Sequence, residues 1–181
     1  MDKSRITRIL AGETELFRHI VDEHKDRVAG VCFNMLKDAN LAEEVGQETF
    51  IRLFKSLDKF QFGSSLATYV TRIAINLSLN KLDSNKRRNN RFVGQEEHHQ
   101  NIGSNARDTH RTLENQELVQ IGLQSLKPEA RSVVVLRMIE GYSTKETSKL
   151  LGIAEGTVMS KLNRALKKMR VTLEKYGLKN E

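Results

Sequence analysis

The chain has 181 residues, 38% of them hydrophobic and 29% charged, with a net charge of +7 and a pI of about 9.6. That composition builds a soluble core, and the excess positive charge favours a polyanionic partner, most often nucleic acid. The N-terminal stretch "MDKSRITRILAGETELF" lacks a signal-peptide apolar run, no segment approaches the roughly 18 apolar residues of a membrane span, and the single cysteine excludes an internal disulfide, so the expectation is a cytoplasmic monomer without membrane insertion.

One proline, few aromatics and many Leu, Lys, Glu and Ala point to an all-α fold. Leu16, Phe17, Ile20, Val21, Val28, Val31, Cys32, Met35 and Leu36 recur at helical spacing and predict one long amphipathic helix, with Cys32 a buried structural thiol on its stripe. "KDAN" (Lys37 to Asn40) interrupts it. A second helix, from about Leu41 to Leu57, turns Ala42, Val45, Phe50, Leu53 and Leu57 inward. Its opposite stripe is Glu44, Gln47, Glu48 and Ile51. Acidic and amide groups with one apolar residue, in a basic protein, suit a protein partner better than DNA. A solvated helix face is the plainer reading of the same stripe.

"DKFQFGSS" (Asp58 to Ser65) reads as a loop, and a third helix from near Leu66 uses Tyr69, Val70, Ile73, Ala74 and Leu77 inward. The loop and its flank supply Phe60, Phe62, Gly63, Ser64, Ser65 and Tyr69. The helix and its tail supply Arg72, Asn76, Asn80, Lys81, Lys86, Arg87 and Arg88. Aromatics interleaved with amides and cations suit an unstacked single strand, whose bases stack and whose backbone meets Lys or Arg. Core packing of Phe60, Phe62 and Tyr69 is the alternative.

From Asn89 to Thr112 the chain is polar and aperiodic, and reads as a flexible linker between domains at 1–88 and 113–181. In the second domain "STKETSKLL" (Ser143 to Leu151) is a short helix with Ser143 as cap and Glu146 at the capping-box position. Gly152 follows, where a left-handed residue ends a helix. Ile153 fills the corner, and Ala154 and Glu155 lead into a second helix with Val158, Leu162, Ala165 and Met169 on its core side. This is a helix-turn-helix, whose second helix enters a major groove. Its candidate duplex contacts are Thr144 on the first helix and Glu155, Gly156, Thr157, Ser160, Lys161, Asn163, Arg164 and Lys167 on the second. Thr157, Ser160 and Lys161 lie toward base edges, and Arg164, Lys167 and Lys168 toward phosphates. A solvated amphipathic helix is the competing reading.

Two other classes fit poorly. An enzyme needs clustered acids or a supported nucleophile, but Glu43–Glu44 and Glu96–Glu97 lack ligand partners, and the adjacent His98 and His99 lack a second ligand set. No catalytic residue, metal or cofactor is expected. A dimeric helix-turn-helix regulator calls for a ligand-pocket signature or a heptad seam, and neither is present.

Taken in order, these features resemble the bacterial sigma-70 initiation factors of the compact extracytoplasmic-function type, from about Phe17 to Arg170. "NLAEEVGQETFIRLFKSLDKF" is similar to the family's helix that docks on the polymerase β′ coiled coil, which implies roles for Glu44, Gln47, Glu48 and Phe50, with Ile51 on the same stripe. "SSLATYVTRIAINLSLN" resembles the promoter-melting and −10-reading helix, with Thr68, Arg72, Ile73, Ala74 and Asn76 matching. "LKPEARSVVVLRMIEGYSTKETSKLLGIAEGTVMSKLNRALKKMR" resembles the −35-reading domain, with Leu126, Pro128, Arg131, Gly141, Ser143, Glu146, Gly152, Gly156, Thr157, Val158, Arg164 and Ala165 matching. The sequence departs from the pattern at Glu44 (usually Asp), Tyr69 (Trp), Ile75 (often Arg), Asn80 (often Asp) and the Thr147–Ser148 pair (apolar–Ala). The resemblance implies a non-enzymatic initiation factor. Its partners would be core RNA polymerase, through the β′ coiled coil and the β flap, promoter DNA and an anti-sigma factor.

Overall fold

The computed structural model describes residues 2–91 and 110–176, with side chains placed for 2–88 and 116–176. Residues 92–109, which include Glu96, Glu97, His98 and His99, lie outside the described residues. Among the described residues every regular element is helical.

A short helix α1 (Asp2–Leu10) opens the chain and buries Ile6 and Ile9. After a 3-10 turn at Thr14–Leu16, helix α2 (Phe17–Leu36) buries the stripe expected of it, including Ile20, Val28, Val31, Cys32 and Met35. The "KDAN" break is a C-cap followed directly by an N-cap. Lys37 is left-handed (φ 59°) and donates its N–H to the Phe33 carbonyl, while the Asp38 side chain accepts from the Leu41 N–H at 2.9 Å. Helix α3 (Ala39–Lys55) follows, then a 3-10 turn at Leu57–Lys59, the loop, and helix α4 (Leu66–Arg91). The second half comprises α5 (His110–Gln124), α6 (Pro128–Val134), a π turn at Val135–Ile139, α7 (Thr144–Leu151) and α8 (Glu155–Glu174). Thus α4 and α5 each run into the stretch read as linker, because a nucleated helix extends cheaply through residues without a strong breaker.

Cys32 is fully buried, and burial pushes its thiol up to about 11. It is an inert packing group, as its place on the stripe suggests.

The two halves share one hydrophobic core. α2 meets α5, α6 and the π turn, and α4 meets α6 and α7. Arg131 sits at this junction, 5% exposed, and no carboxylate pairs with it among the described residues. Its Nε donates to the Leu123 carbonyl at 2.9 Å and its Nη2 to Leu126 at 3.2 Å, while Nη1 donates across the junction to the Met35 carbonyl. These acceptors lie at or just past the C-terminal ends of α5 and α2, where orphan carbonyls carry partial negative charge. Around it Gln120 Nε2 donates to Asn34 Oδ1 at 2.6 Å, Tyr142 OH to Thr71 Oγ1 at 3.2 Å, and Arg27 pairs with Glu140 at 3.1 Å. Burial raises the Glu140 carboxyl above the ordinary glutamate value, and Arg27 opposes that shift.

Truncating Arg131 to Ala strands three or more buried carbonyls, so Arg131→Ala is expected to cost about 3 kcal/mol in urea unfolding, with Arg131→Lys recovering only part because an ammonium has no planar fork. A loss below about 1 kcal/mol for the Ala variant would show that the carbonyls find water instead.

Candidate nucleic-acid and protein interfaces

The helix-turn-helix is built by local hydrogen bonds. The Ser143 Oγ accepts from the Glu146 N–H at 3.2 Å and Glu146 Oε2 accepts from the Ser143 N–H at 2.8 Å, which closes the capping box. These bonds hold the Glu146 carboxyl below the ordinary glutamate value. Gly152 takes the left-handed conformation (φ 65°). Ser148 stitches the turn: its Oγ donates to the Ile153 carbonyl at 2.6 Å, and the Ile153 N–H returns to the Ser148 carbonyl at 3.1 Å. Thr147 is fully buried and its Oγ1 has no hydrogen-bond partner among the described residues, a cost of the departure at that position.

Helix α8 buries Val158 and Ala165 toward the core. Glu155, Gly156, Asn163, Arg164 and Lys167 are exposed, while Thr157, Ser160 and Lys161, with Thr144 on α7, are half-buried. Lys161, Arg164 and Lys167 form no ion pair with any described residue. Arg164 Nε rests on the Ser160 carbonyl at 3.2 Å, which holds its guanidinium along the outward face. The nine residues read as duplex contacts thus share the outward side of the motif and its approach.

The aromatic loop is strained and partly exposed. Its left-handed residue is Phe62 (φ 55°), an uncommon conformation for a bulky side chain that costs roughly 1–2 kcal/mol. Phe62 is 42% exposed, Gly63 and Ser64 are exposed, and Phe60 is buried. Phe60 stacks between Phe62 at 4.8 Å and Tyr69 at 5.0 Å, centroid to centroid. Phe60 is thus packed as the floor that supports Phe62 and Tyr69. Ser65 has a local duty too, since its Oγ accepts from the Thr68 N–H at 3.1 Å and caps α4. Arg72, Asn76 and Asn80 follow on one exposed stripe of α4. Lys81 pairs with Glu44 at 2.6 Å, and Arg87 pairs with Asp83 at 2.6 Å, so neither cation is unengaged; Arg88 is exposed.

On α3, Glu44, Gln47 and Ile51 are exposed and Glu48 is half-buried. Gln47 donates to Glu43 at 3.2 Å and Glu48 accepts from Arg52 at 2.8 Å. Phe54, 42% exposed and edge-on to Phe17 at 5.0 Å, extends the stripe beyond Ile51. The sequence carried that signal, because Gln47, Ile51 and Phe54 are spaced by four and three.

Two family models match the chain, Sigma-70 region 2 over residues 20–88 and Sigma-70 region 4 over residues 119–169. The chain belongs to the sigma-70 family, in its extracytoplasmic-function branch. It is 28% identical to the ECF RNA polymerase sigma factor SigW of Bacillus subtilis over 96% of this chain and 97% of that protein. It is 27% identical to the ECF RNA polymerase sigma-E factor of Haemophilus influenzae, over 91% and 90%. The fold resembles the sigma factor RpoE solved with the anti-sigma factor NepR from Bartonella quintana (TM-score 0.70, 19% identity, 87% of this chain and 96% of that one). It also resembles CnrH solved with the cytosolic domain of CnrY (TM-score 0.65, 22% identity, 96% and 97%). Membership places the chain among non-enzymatic factors of promoter-directed transcription initiation. No described helix is long and apolar enough to cross a membrane.

Ser143→Ala removes the capping box and is expected to destabilise the second half by about 1 kcal/mol. Because the Glu146 value is lowered in the folded state, its contribution is complete above the unfolded glutamate range near 4.3 and fades as pH falls through the lowered value. Unfolding curves of wild type and Glu146→Gln at pH 7 and pH 3 should therefore converge at the acid end, and a constant gap would contradict the capping geometry.

Proposed function

We propose that the chain joins core RNA polymerase through the α3 stripe, reads −35 duplex DNA with α8 and captures a melted −10 strand with the aromatic loop and α4. The observation that carries this reading is the presence on one chain of an unpaired cationic helix-turn-helix face and a strained loop offering Phe62. The α3 face, with Glu44, Gln47, Glu48, Ile51 and Phe54, has the acidic and apolar character that suits a basic coiled coil. The β flap, promoter DNA and an anti-sigma factor, the partner recorded with RpoE, complete the partner set. Such a factor acts in the cytoplasm beside the polymerase.

The mechanism is physical. Unpairing a base costs a few kcal/mol, and stacking on an aromatic ring returns about 1–3 kcal/mol per base, so a captured base on Phe62 and Tyr69 opposes re-pairing. Lys161 and Arg164 supply phosphate and base-edge contacts in the duplex. Elements named −35 and −10 lie roughly 25 base pairs apart, or about 85 Å at about 3.4 Å per step. A packed chain of this length is only about 40 Å across. The two halves must therefore part on the promoter, and residues 92–109 reach at most about 60 Å when extended, enough to allow it.

Glu44→Ala with Gln47→Ala is expected to weaken co-purification with core polymerase while leaving the fold intact, and full retention by the folded variant would remove the stripe from the interface. Separately, Lys161→Ala and Arg164→Ala should each weaken −35 duplex binding and lower the salt slope by about 1. An unchanged slope in both would move the duplex surface elsewhere.

A further inference from the structure

Helix α8 exposes an apolar side chain near its N-terminal end that its own packing does not explain. Val158 and Ala165 are buried, and Leu162 and Met169 pack against the core. Met159 does neither: it is 58% exposed in the second turn of the helix. It lies four residues after Glu155, three after Gly156 and four before Asn163, all of them exposed, and residues at that spacing share a helix face. Met159 thus stands inside the outward face of the motif, among groups chosen for their polarity. Leu166 and Val171 are exposed too, but they follow about two turns and more further on, past the part of the helix that meets base edges. Gly156 belongs to the same place. A Cβ at Gly156 would meet nothing within 4 Å, so no packing within the chain calls for a glycine, the least favourable helical residue apart from proline. Bare backbone beside the thioether lets another surface approach the helix closely there.

The chemistry of that surface is narrow. A thioether donates no hydrogen bond and accepts only weakly, so it reads neither phosphates nor the polar groups of base edges. The apolar feature of the major groove is the C5 methyl group of thymine. A flexible, polarizable Met side chain moulds itself to such a group, and both shed water when they meet. Resting on the reading of α8 as the −35 duplex reader, we propose that Met159 reads a thymine of that element, its thioether against the 5-methyl group and the bare backbone of Gly156 beside it. Met159 then contributes discrimination between base pairs, while the unpaired cations Lys161, Arg164 and Lys167 contribute sequence-independent affinity through phosphates.

Genomic fragments retained by the holoenzyme, this chain with core polymerase, supply the −35 duplex. It is synthesised without modified bases, then with each thymine in turn replaced by uracil, which keeps every hydrogen-bonding group and lacks the methyl. Wild-type holoenzyme should lose roughly fourfold in affinity at one thymine, the worth of one buried methyl group. Met159→Ala should weaken binding to the thymine duplex by roughly fivefold to tenfold and lose its response to uracil at that position, the non-additivity that marks a direct contact. Met159→Leu should keep most of the response. The salt slope should stay unchanged in both variants, since no charge is removed, which separates this contact from a phosphate contact. Uracil tolerated at every thymine by the wild type, or an equal uracil loss in wild type and Met159→Ala, overturns the thymine contact and leaves α8 as the duplex reader. Failure of the wild-type chain to join polymerase, or unchanged duplex affinity in both Lys161→Ala and Arg164→Ala, overturns the duplex reading and the thymine contact with it. A protein partner is the rival occupant of an exposed methionine. If Met159→Ala weakens joining to core polymerase while its response to uracil stays that of the wild type, the side chain belongs to a protein face and the thymine contact is overturned.

Discussion

One buried guanidinium joins helix ends from both halves where they meet. Arg131 is buried without a carboxylate, and its charge is balanced by carbonyls at the converging C-terminal ends of α5 and α2. Burial pulls its pKa down to about 10, so it stays charged at neutral pH. Each helix end carries about half a negative charge that water would otherwise solvate, and one planar fork satisfies both. The Met35 carbonyl is the one acceptor contributed by the first half.

Other polar contacts ring the hydrophobic core that the two halves share. Gln120 with Asn34, Tyr142 with Thr71 and Arg27 with Glu140 are hydrogen bonds and an ion pair, each of which water can replace. These polar contacts part at lower cost than the apolar ones they surround, because parting exposes groups that rehydrate. The core residues that must stay dry, such as Ile20, Leu53, Val70 and Leu136, are packed by elements around them rather than by this polar rim alone. Under the proposed function, whose two readers serve elements far apart on DNA, such a junction orders the free protein and opens on the polymerase.

Features set by neighbours in sequence were legible before the structure, and features set across the chain were not. The cap at Ser143, the break at Gly152 and the period of α3 are local, and all three stand where the pattern put them. Helix α1 offered Ile6, Ile9 and Leu10 as apolar signals, too few to show a period. Thr71 is buried beneath Tyr142, 71 residues away, a burial no local pattern announces. Phe60 and Phe62 looked equivalent in the loop. A left-handed backbone at Phe62 turns one ring outward and leaves the other as floor, and no residue pattern announces that choice when Gly63 is the obvious candidate for it. The pairing of Lys81 with Glu44, 37 residues away, ties α4 to the acidic stripe of α3, and no local pattern announces it.

The most direct measurement is a distance between the halves, read by energy transfer between dyes at Asn40→Cys and Lys175→Cys, both exposed sites. Cys32 does not compete for label, being buried with its thiol pushed up to about 11. The account predicts one narrow, short distance in the free protein and a clear lengthening in the promoter complex with core polymerase. A long or broad distribution in the free protein, or no change on promoter binding, would contradict it.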